Sequence, residues 1–322
     1  MWAMASATSR SSNRINRRSF WAAQVHRGSS TDNSRRSAGG FPPASQRENE
    51  ASRSMYNAQA DNWVRTQPRC LSDFTGRPVV FSFLKSHLPG ACVLDVGCGE
   101  GYCARRVLEM GAGRVIGSDI SEEMIRSASA TAAAMGQEDR LRYYVSPCSE
   151  LLTGLKAKKD EMAIATEGSA EGTFDVAMAV FLFNYLTSGE MEDCMRQIHK
   201  ALKPGGIFVF SVPHPGMIYA KEGDASFSAF RLKSTGKGYF SSRDQKILGT
   251  ICTVDRKELN IMSVHKTLND YMDAINSAGF GIVDIREAGV TEEHMAIDAE
   301  FFGTVKDRPL HLVFKLRKST EM

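Results

Sequence analysis

The sequence predicts an α/β fold, a mostly parallel sheet covered by helices on both faces. Three observations carry this expectation. An apolar strand, Val93-Leu-Asp-Val96, runs straight into glycines at alternate positions, Gly97, Gly99 and Gly101, and then into a helical segment. Short apolar runs and longer amphipathic stretches then alternate along the chain. Helix starts between them are marked by capping side chains at Ser121, Thr187 and Thr267.

Length and composition fit this class. The 322 residues are 42% hydrophobic, enough for one large core. No apolar run reaches the roughly 18 residues of a membrane span. The net charge of +3 is uneven: residues 1–47 hold eight arginines against one aspartate, which leaves residues 48–322 at −4. A broad basic face for nucleic acid is therefore not expected there. Residues 1–50 are rich in Arg and Ser and contain no Lys, the composition of an organelle transit peptide. Arg14 to Ala23 can form a basic amphipathic helix, which favours a mitochondrial address; a plastid address or a disordered tail on a cytoplasmic protein are the alternatives. Residues 51–322 are then the folded domain. The seven cysteines are irregularly spaced without a C-x-x-C, so neither a metal site nor a disulfide framework is expected.

Taken in order, Ser54 to Trp63 reads as a helix with Tyr56, Ala60 and Trp63 on one face. Arg77-Pro78 precedes a second helix, Val79 to Lys85. The glycine-turn strand is followed by a helix over Cys103 to Met110 and by a second strand, Arg114 to Asp119. Ser121 caps the next helix, with Glu122 and Glu123 at the positive end of its dipole. Leu141 to Val145 is the third strand, and residues 154–173 read as a surface insertion. Phe174 to Val180, nearly all apolar, is a buried parallel strand. Thr187 and Glu190 form a capping box before a helix with Met191, Cys194, Met195, Ile198 and Leu202 at helical spacing. Ile207 to Val212 is the fifth strand. Residues 213–264 break the alternation and read as an insertion with its own small sheet, a hairpin around Asp255-Arg256. A last helix capped by Thr267 and Asp270 turns Leu268, Tyr271, Met272 and Ile275 inward, and Gly281 to Ile285 and Leu310 to Leu316 supply the final strands.

The chemistry begins at the glycine turn. Glycines ending a strand bring bare backbone N–H groups close to a ligand. The spacing is G-x-G-x-G, whereas dinucleotide enzymes use G-x-G-x-x-G. Asp95 lies inside the strand, two residues before Gly97. Its carboxylate would repel a phosphate and suit a cationic ligand. It can bond either loop amides or a ligand amino group. Asp119, at the end of the second strand, can accept both hydroxyls of a ribose.

Val93 to Gly101, Gly117-Ser-Asp-Ile-Ser121, Phe174 to Met178 and Leu202-Lys-Pro-Gly-Gly206 resemble, in order, the motifs of class I S-adenosylmethionine-dependent methyltransferases. The resemblance spans roughly residues 75–316. It implies a Rossmann-like seven-stranded sheet of order 3-2-1-4-5-7-6, strand seven antiparallel, with a lid insertion after strand five. It implies S-adenosyl-L-methionine as cofactor, with Gly97, Gly99 and Gly101 along the methionyl part, Asp119 on the ribose and Ile120 beside the adenine. Val180, at the end of strand four, falls beside the cofactor. The segment after strand three has Pro147 where relatives favour an acid, which leaves Cys148 or Ser149 to meet the adenine edge. Arg77 corresponds to an arginine that relatives set against the methionyl carboxylate, and Tyr56 lies on a helix that closes over the cofactor.

Acceptor residues are expected after strands four and five and in the insertion. Asn184 or Tyr185 can bond an acceptor. His214, between two prolines, and His265, at the head of the last helix, are candidate general bases. His294 and His311 carry no such expectation. The insertion, 213–264, is the expected lid over a small-molecule acceptor, its Phe227, Phe230, Tyr239 and Phe240 forming either a pocket or the lid's own core. Competing readings are a catalytically silent S-adenosylmethionine-binding or scaffold subunit of an organelle assembly, an NAD-dependent dehydrogenase, and an organelle RNA methyltransferase. The glycine spacing and Asp95 disfavour the dehydrogenase. The last lacks its Asn/Asp-Pro-Pro-aromatic signature, since Val180-Phe-Leu-Phe-Asn-Tyr stands there.

Overall fold

The computed structural model describes residues 44–158, 170–219, 229–233 and 235–320. The expected transit segment up to residue 43, part of the 154–173 stretch and Phe227 lie outside the described residues. Helix α1 (Ala44–Trp63), α2 (Leu71–Phe74) and α3 (Arg77–Leu84) precede the sheet. The alternating core follows as β1 (Cys92–Val96), α4 (Tyr102–Glu109), β2 (Arg114–Asp119), α5 (Glu122–Ala134), β3 (Leu141–Val145), α6 (Leu151–Ala157), β4 (Phe174–Val180), α7 (Ser188–Ala201) and β5 (Leu202–Pro213). The insertion holds β6 (Phe230–Leu232), β7 (Lys246–Cys252) and β8 (Glu258–Val264). The chain ends in α8 (Leu268–Ser277), β9 (Phe280–Ala288), α9 (Glu292–Ile297), α10 (Ala299–Gly303) and β10 (His311–Lys318).

The main sheet has the order β3-β2-β1-β4-β5-β10-β9. Strands β1 to β5 pair in parallel, and β10 runs antiparallel to both β5 and β9. This is the order expected from the resemblance. Successive strand residues face opposite helix layers. Val93 packs in the core beneath α3, α4 and α5, while Leu94 packs in the core beneath α7 and α8. The ends of β1, β2 and β4 therefore open onto one edge, where the turns leave the sheet.

The expected caps form. Ser121 Oγ accepts from Met124 N–H at 3.1 Å, and Thr187–Glu190 and Thr267–Asp270 are reciprocal capping boxes. Four expectations change. Pro78 lies inside the first turn of α3, where its missing N–H costs nothing. Residues 154–157 belong to α6, because Leu151 and Leu155 bury one face. Strand β5 starts at Leu202, and Phe174 pairs with Leu202 before a register shift that brings Val176 onto Ile207. Leu268, expected inward, is exposed at 46%. The insertion carries the three-stranded sheet β6-β7-β8, with the hairpin turn at Asp255-Arg256 as expected. Helices α9 and α10 went unread; Phe301 and Phe302 join them to Leu71 of α2 and Cys252 of β7 in a third core.

Candidate functional site

A cavity of about 210 Å³ lies at the open edge of the sheet. Tyr56, Arg77, Asp95, Gly97, Gly99, Asp119, Ile120, Cys148, Val180 and Tyr185 all line it. The remaining candidates, Gly101, Ser149, His214 and His265, do not.

The glycine turn is built as its residue types demand. Gly97, Gly99 and Gly101 have φ of +72°, +54° and +83°, the left-handed region that only glycine enters freely. They differ in what a side chain would meet. A Cβ at Gly97 would come within 2.9 Å of Leu182, and at Gly101 within 2.6 Å of the Tyr143 hydroxyl. A Cβ at Gly99 would meet nothing within 4 Å. Gly99 thus faces the open cavity, whereas Gly101 lets α4 approach β3.

Asp119 organises the turn. Its Oδ2 accepts the Gly99 N–H at 2.9 Å, and its Oδ1 accepts the Ser121 N–H at 2.9 Å. Each oxygen keeps a lone pair for a hydroxyl. The loop amides of Gly97 and Cys98 go to the Ser118 carbonyl. Asp95 therefore does not hold the loop amides, one of its two expected uses. It is 1% exposed, and its Oδ2 has no partner among the described residues. Burial, helped by the neighbouring Asp119 and opposed by Arg77, pushes its carboxyl up to about 8. A cation beside it would reverse that balance.

Beneath the turn lies a buried ionic network that the sequence reading missed. Arg77 Nη1 donates to Asp73 Oδ1 at 2.8 Å and to Ser72 Oγ at 2.6 Å. Arg65 reaches Asp73 at 3.3 Å and Glu100 at 3.4 Å, and Arg105 pairs with Glu100 at 2.6 Å. Burial alone would raise the Asp73 carboxyl, but Arg77, Arg65 and the N–H groups of Arg69 and Cys70 outweigh it and hold it below the ordinary value. Three guanidiniums against two carboxylates leave one positive charge in excess. Arg77 reaches the cavity as expected, but Nη1 is committed to Asp73 and its guanidinium lies 5.2 Å from the Phe181 ring. Arg65, also in the lining, is its unforeseen companion.

Helix α1 closes one side. Ser121 Oγ donates to Asn57 Oδ1 at 2.6 Å, and Arg53 pairs with Glu122. Tyr56 packs edge-on against Tyr185, ring centroids 5.3 Å apart. Burial pushes the phenols of both up, so each stays protonated near neutrality and serves only in hydrogen bonding. Leu71, Phe181, Pro213, Phe230, Ile251 and Ile261 form a largely apolar part of the lining, and the insertion's three-stranded sheet supplies three of them.

Neither of the two candidate histidine bases lines the cavity. His214 Nδ1 accepts the Gly216 N–H at 3.1 Å, and Nε2 meets Glu287 at 2.8 Å. Both nitrogens are thus engaged with residues outside the cavity lining. His265 Nε2 donates to the Tyr239 carbonyl at 2.9 Å, away from the cavity. Burial lowers its pKa, and Lys266 adds to the effect against the Tyr239 carbonyl. Ser149 is exposed, and its carbonyl accepts from Gln197, so of the two adenine-edge candidates only Cys148 reaches the cavity. Ser146, unread, lines it as well. The histidine that does reach the cavity is His311.

Residues 93–206 match the model of the methyltransferase domain family. Over these residues the chain carries a methyltransferase domain similar to that family's. It is 31% identical over 162 residues to a Haemophilus influenzae protein of no named function, covering 50% of this chain and 57% of that one. It is 33% identical over 128 residues to the ubiquinone biosynthesis O-methyltransferase of Rhizobium johnstonii, covering 39% and 42%. The chain thus spans about half the length of these curated relatives. A solved S-adenosylmethionine-dependent methyltransferase of Mesorhizobium loti shares the fold, with a TM-score of 0.52 at 24% identity over 75% of this chain and 96% of that one. S-adenosylmethionine is the family's cofactor, and the methyltransferase domain has a donor set that fits it: an unpartnered buried carboxylate at Asp95, open space at Gly99 and the Asp119 carboxylate in the same lining. Among the described residues no helix is long and apolar enough to cross a membrane, and no cluster of potential metal ligands occurs.

Proposed function

We propose that the protein transfers a methyl group from S-adenosylmethionine to a small-molecule acceptor. The observation that carries this reading is the unpartnered Oδ2 of Asp95 beside Gly97 and Gly99. It offers an anionic seat for the methionyl ammonium. The excess positive charge at Arg65 and Arg77 suits the methionyl carboxylate. Asp119 takes the ribose hydroxyls, while Ile120 and Val180 border the adenosyl and methionyl parts. Cys148, with Ser146, stands at the adenine edge in place of an acid.

When bound, the cofactor supplies an electrophilic methyl group on a sulfonium. This chain's residues align the acceptor and exclude water, the main requirement of an in-line displacement. Tyr185 and Asn184 offer hydrogen bonds where the cofactor and apolar compartments meet, and Tyr56 closes over them from α1. With His214 and His265 turned away, proximity is the better account than a histidine base. The apolar compartment and the acidic balance of residues 48–322 favour a small metabolite over nucleic acid. The arginine-rich segment before the domain supports a mitochondrial address, testable by fusing residues 1–50 to a fluorescent protein. Calorimetry with S-adenosylmethionine and S-adenosylhomocysteine tests the cofactor site. Binding by the wild type, lost in Asp119→Ala, is expected; no wild-type binding, or unchanged binding in the variant, overturns it.

A further inference from the structure

His311 opens β10, paired with Pro213 of β5 and Ala288 of β9. Its imidazole lines the cavity, is 6% exposed, and has no partner on Nδ1 or Nε2 among the described residues. The ring is fixed in place. Phe181 stands edge-on to it at 5.0 Å, and Phe181 itself is held at φ +59°, a strained conformation for an aromatic residue. A Cβ at Gly76 would approach the ring to 3.0 Å, so the chain keeps position 76 bare to admit it. A buried polar ring with neither nitrogen satisfied is costly unless a ligand completes it. Among the described residues nothing else uses the ring: its neighbour Phe181 is apolar, and the Arg77 guanidinium faces Asp73 and the Phe181 face.

We propose that His311 is the recognition residue for the acceptor, and that the acceptor is a neutral, mainly apolar molecule presenting a hydroxyl or an N–H to its imidazole. The inference rests on the methyltransferase reading above and names the substrate class of that same site. A neutral imidazole offers one donor and one acceptor nitrogen, which matches both kinds of group. Phe230, Ile251 and Ile261 of the insertion supply the apolar wall for the rest of the molecule. Burial, with Arg77 and His214 adding to it against Asp73, brings the imidazole down to about 3, so the ring stays uncharged at neutral pH. It orients the acceptor and takes no proton from it, unlike the base role expected of His214 and His265.

The test uses the full chain loaded with S-adenosylhomocysteine, as wild type, His311→Gln and His311→Leu. Three probes of nearly equal shape, 4-methylphenol, 4-methylaniline and p-xylene, are titrated by calorimetry. The wild type is expected to bind the first two roughly tenfold or more tightly than p-xylene. His311→Gln, which keeps a donor and an acceptor, should retain that preference, and His311→Leu should lose it. Equal S-adenosylhomocysteine affinity in all three proteins shows that the variants are folded and the cofactor site intact. Failure of the wild type to bind S-adenosylhomocysteine would instead strike the cofactor reading. The proposal is overturned if the loaded wild type binds no 4-methylphenol, shows no preference over p-xylene, or if the preference survives in His311→Leu.

Discussion

At the scale of single residues, Asp95 sets the electrostatics of the cavity. Burial and Asp119 hold its carboxyl up at about 8, so at pH 6–7 it is largely protonated before a ligand arrives. Pairing with the methionyl ammonium requires the carboxylate. Binding of S-adenosylmethionine below pH 8 should therefore release close to one proton, and affinity should fall roughly tenfold from pH 7 to pH 6. Calorimetry in two buffers of different ionisation heat measures this directly. Asp95→Asn should bind more weakly and without the proton release; an unchanged proton count in the variant would assign the titration elsewhere. The same shift has the opposite sign for the unliganded protein. The folded pKa lies above the unfolded value, so the folded state holds the extra proton, and this group's contribution to stability declines as pH rises from about 4 to 8. The acid itself was legible, because a charged residue inside an apolar strand needs a reason. The histidines were not. His214 and His265 sit in loops where a base is plausible, yet the contacts that consume their nitrogens come from Glu287 and Tyr239, far along the chain.

At the scale of elements, the strand–turn–helix of β1 and α4 divides its glycines between two tasks. Gly101→Ala places a methyl group against the Tyr143 hydroxyl at a φ of +83°. It should destabilise the fold by about 3 kcal/mol, combining left-handed strain with overpacking. Gly99→Ala meets open space, so its cost is the strain alone, about 1 kcal/mol, with most of the damage appearing as lost cofactor affinity. Urea melts beside S-adenosylhomocysteine titrations separate the two, and the reverse ordering would mean that the cavity is not where the cofactor lies. The elements most readable from sequence were those whose burial is continuous. Strands β2, β3 and β4 were read to the residue, since apolar runs bounded by glycine, proline or capping residues leave little choice. Helices α9 and α10 escaped because their reason lies elsewhere: Phe301 and Phe302 pack on residues from α2 and the small sheet, which local periodicity cannot report.

At the scale of the whole molecule, the pre-sheet segment, the glycine turn and the end of β10 form one unit, because Asp73 lies at the centre of their charges. Its carboxylate is fully buried and holds Arg77 at 2.8 Å, Arg65 at 3.3 Å and the N–H groups of Arg69 and Cys70. Arg65 extends the chain of pairs to Glu100 in the glycine turn, and Arg77 stacks on Phe181, which packs on His311. Breaking a buried network from one side leaves uncompensated charge, so Asp73→Ala should cost about 3–5 kcal/mol. The loss should be general: α2, the turn and the acceptor compartment loosen together, and urea unfolding followed by tryptophan emission near Trp63 should shift as one transition. The sign with pH follows from the lowered carboxyl. Its contribution is fully present above the unfolded value of about 4 and is lost as pH falls through the lower folded value, so the difference between wild type and Asp73→Asn should shrink in acid. A variant as stable as the wild type at pH 7 would mean that the arginines find other partners. In that case the positive excess beside the glycine turn would no longer be a fixed feature available to the methionyl carboxylate.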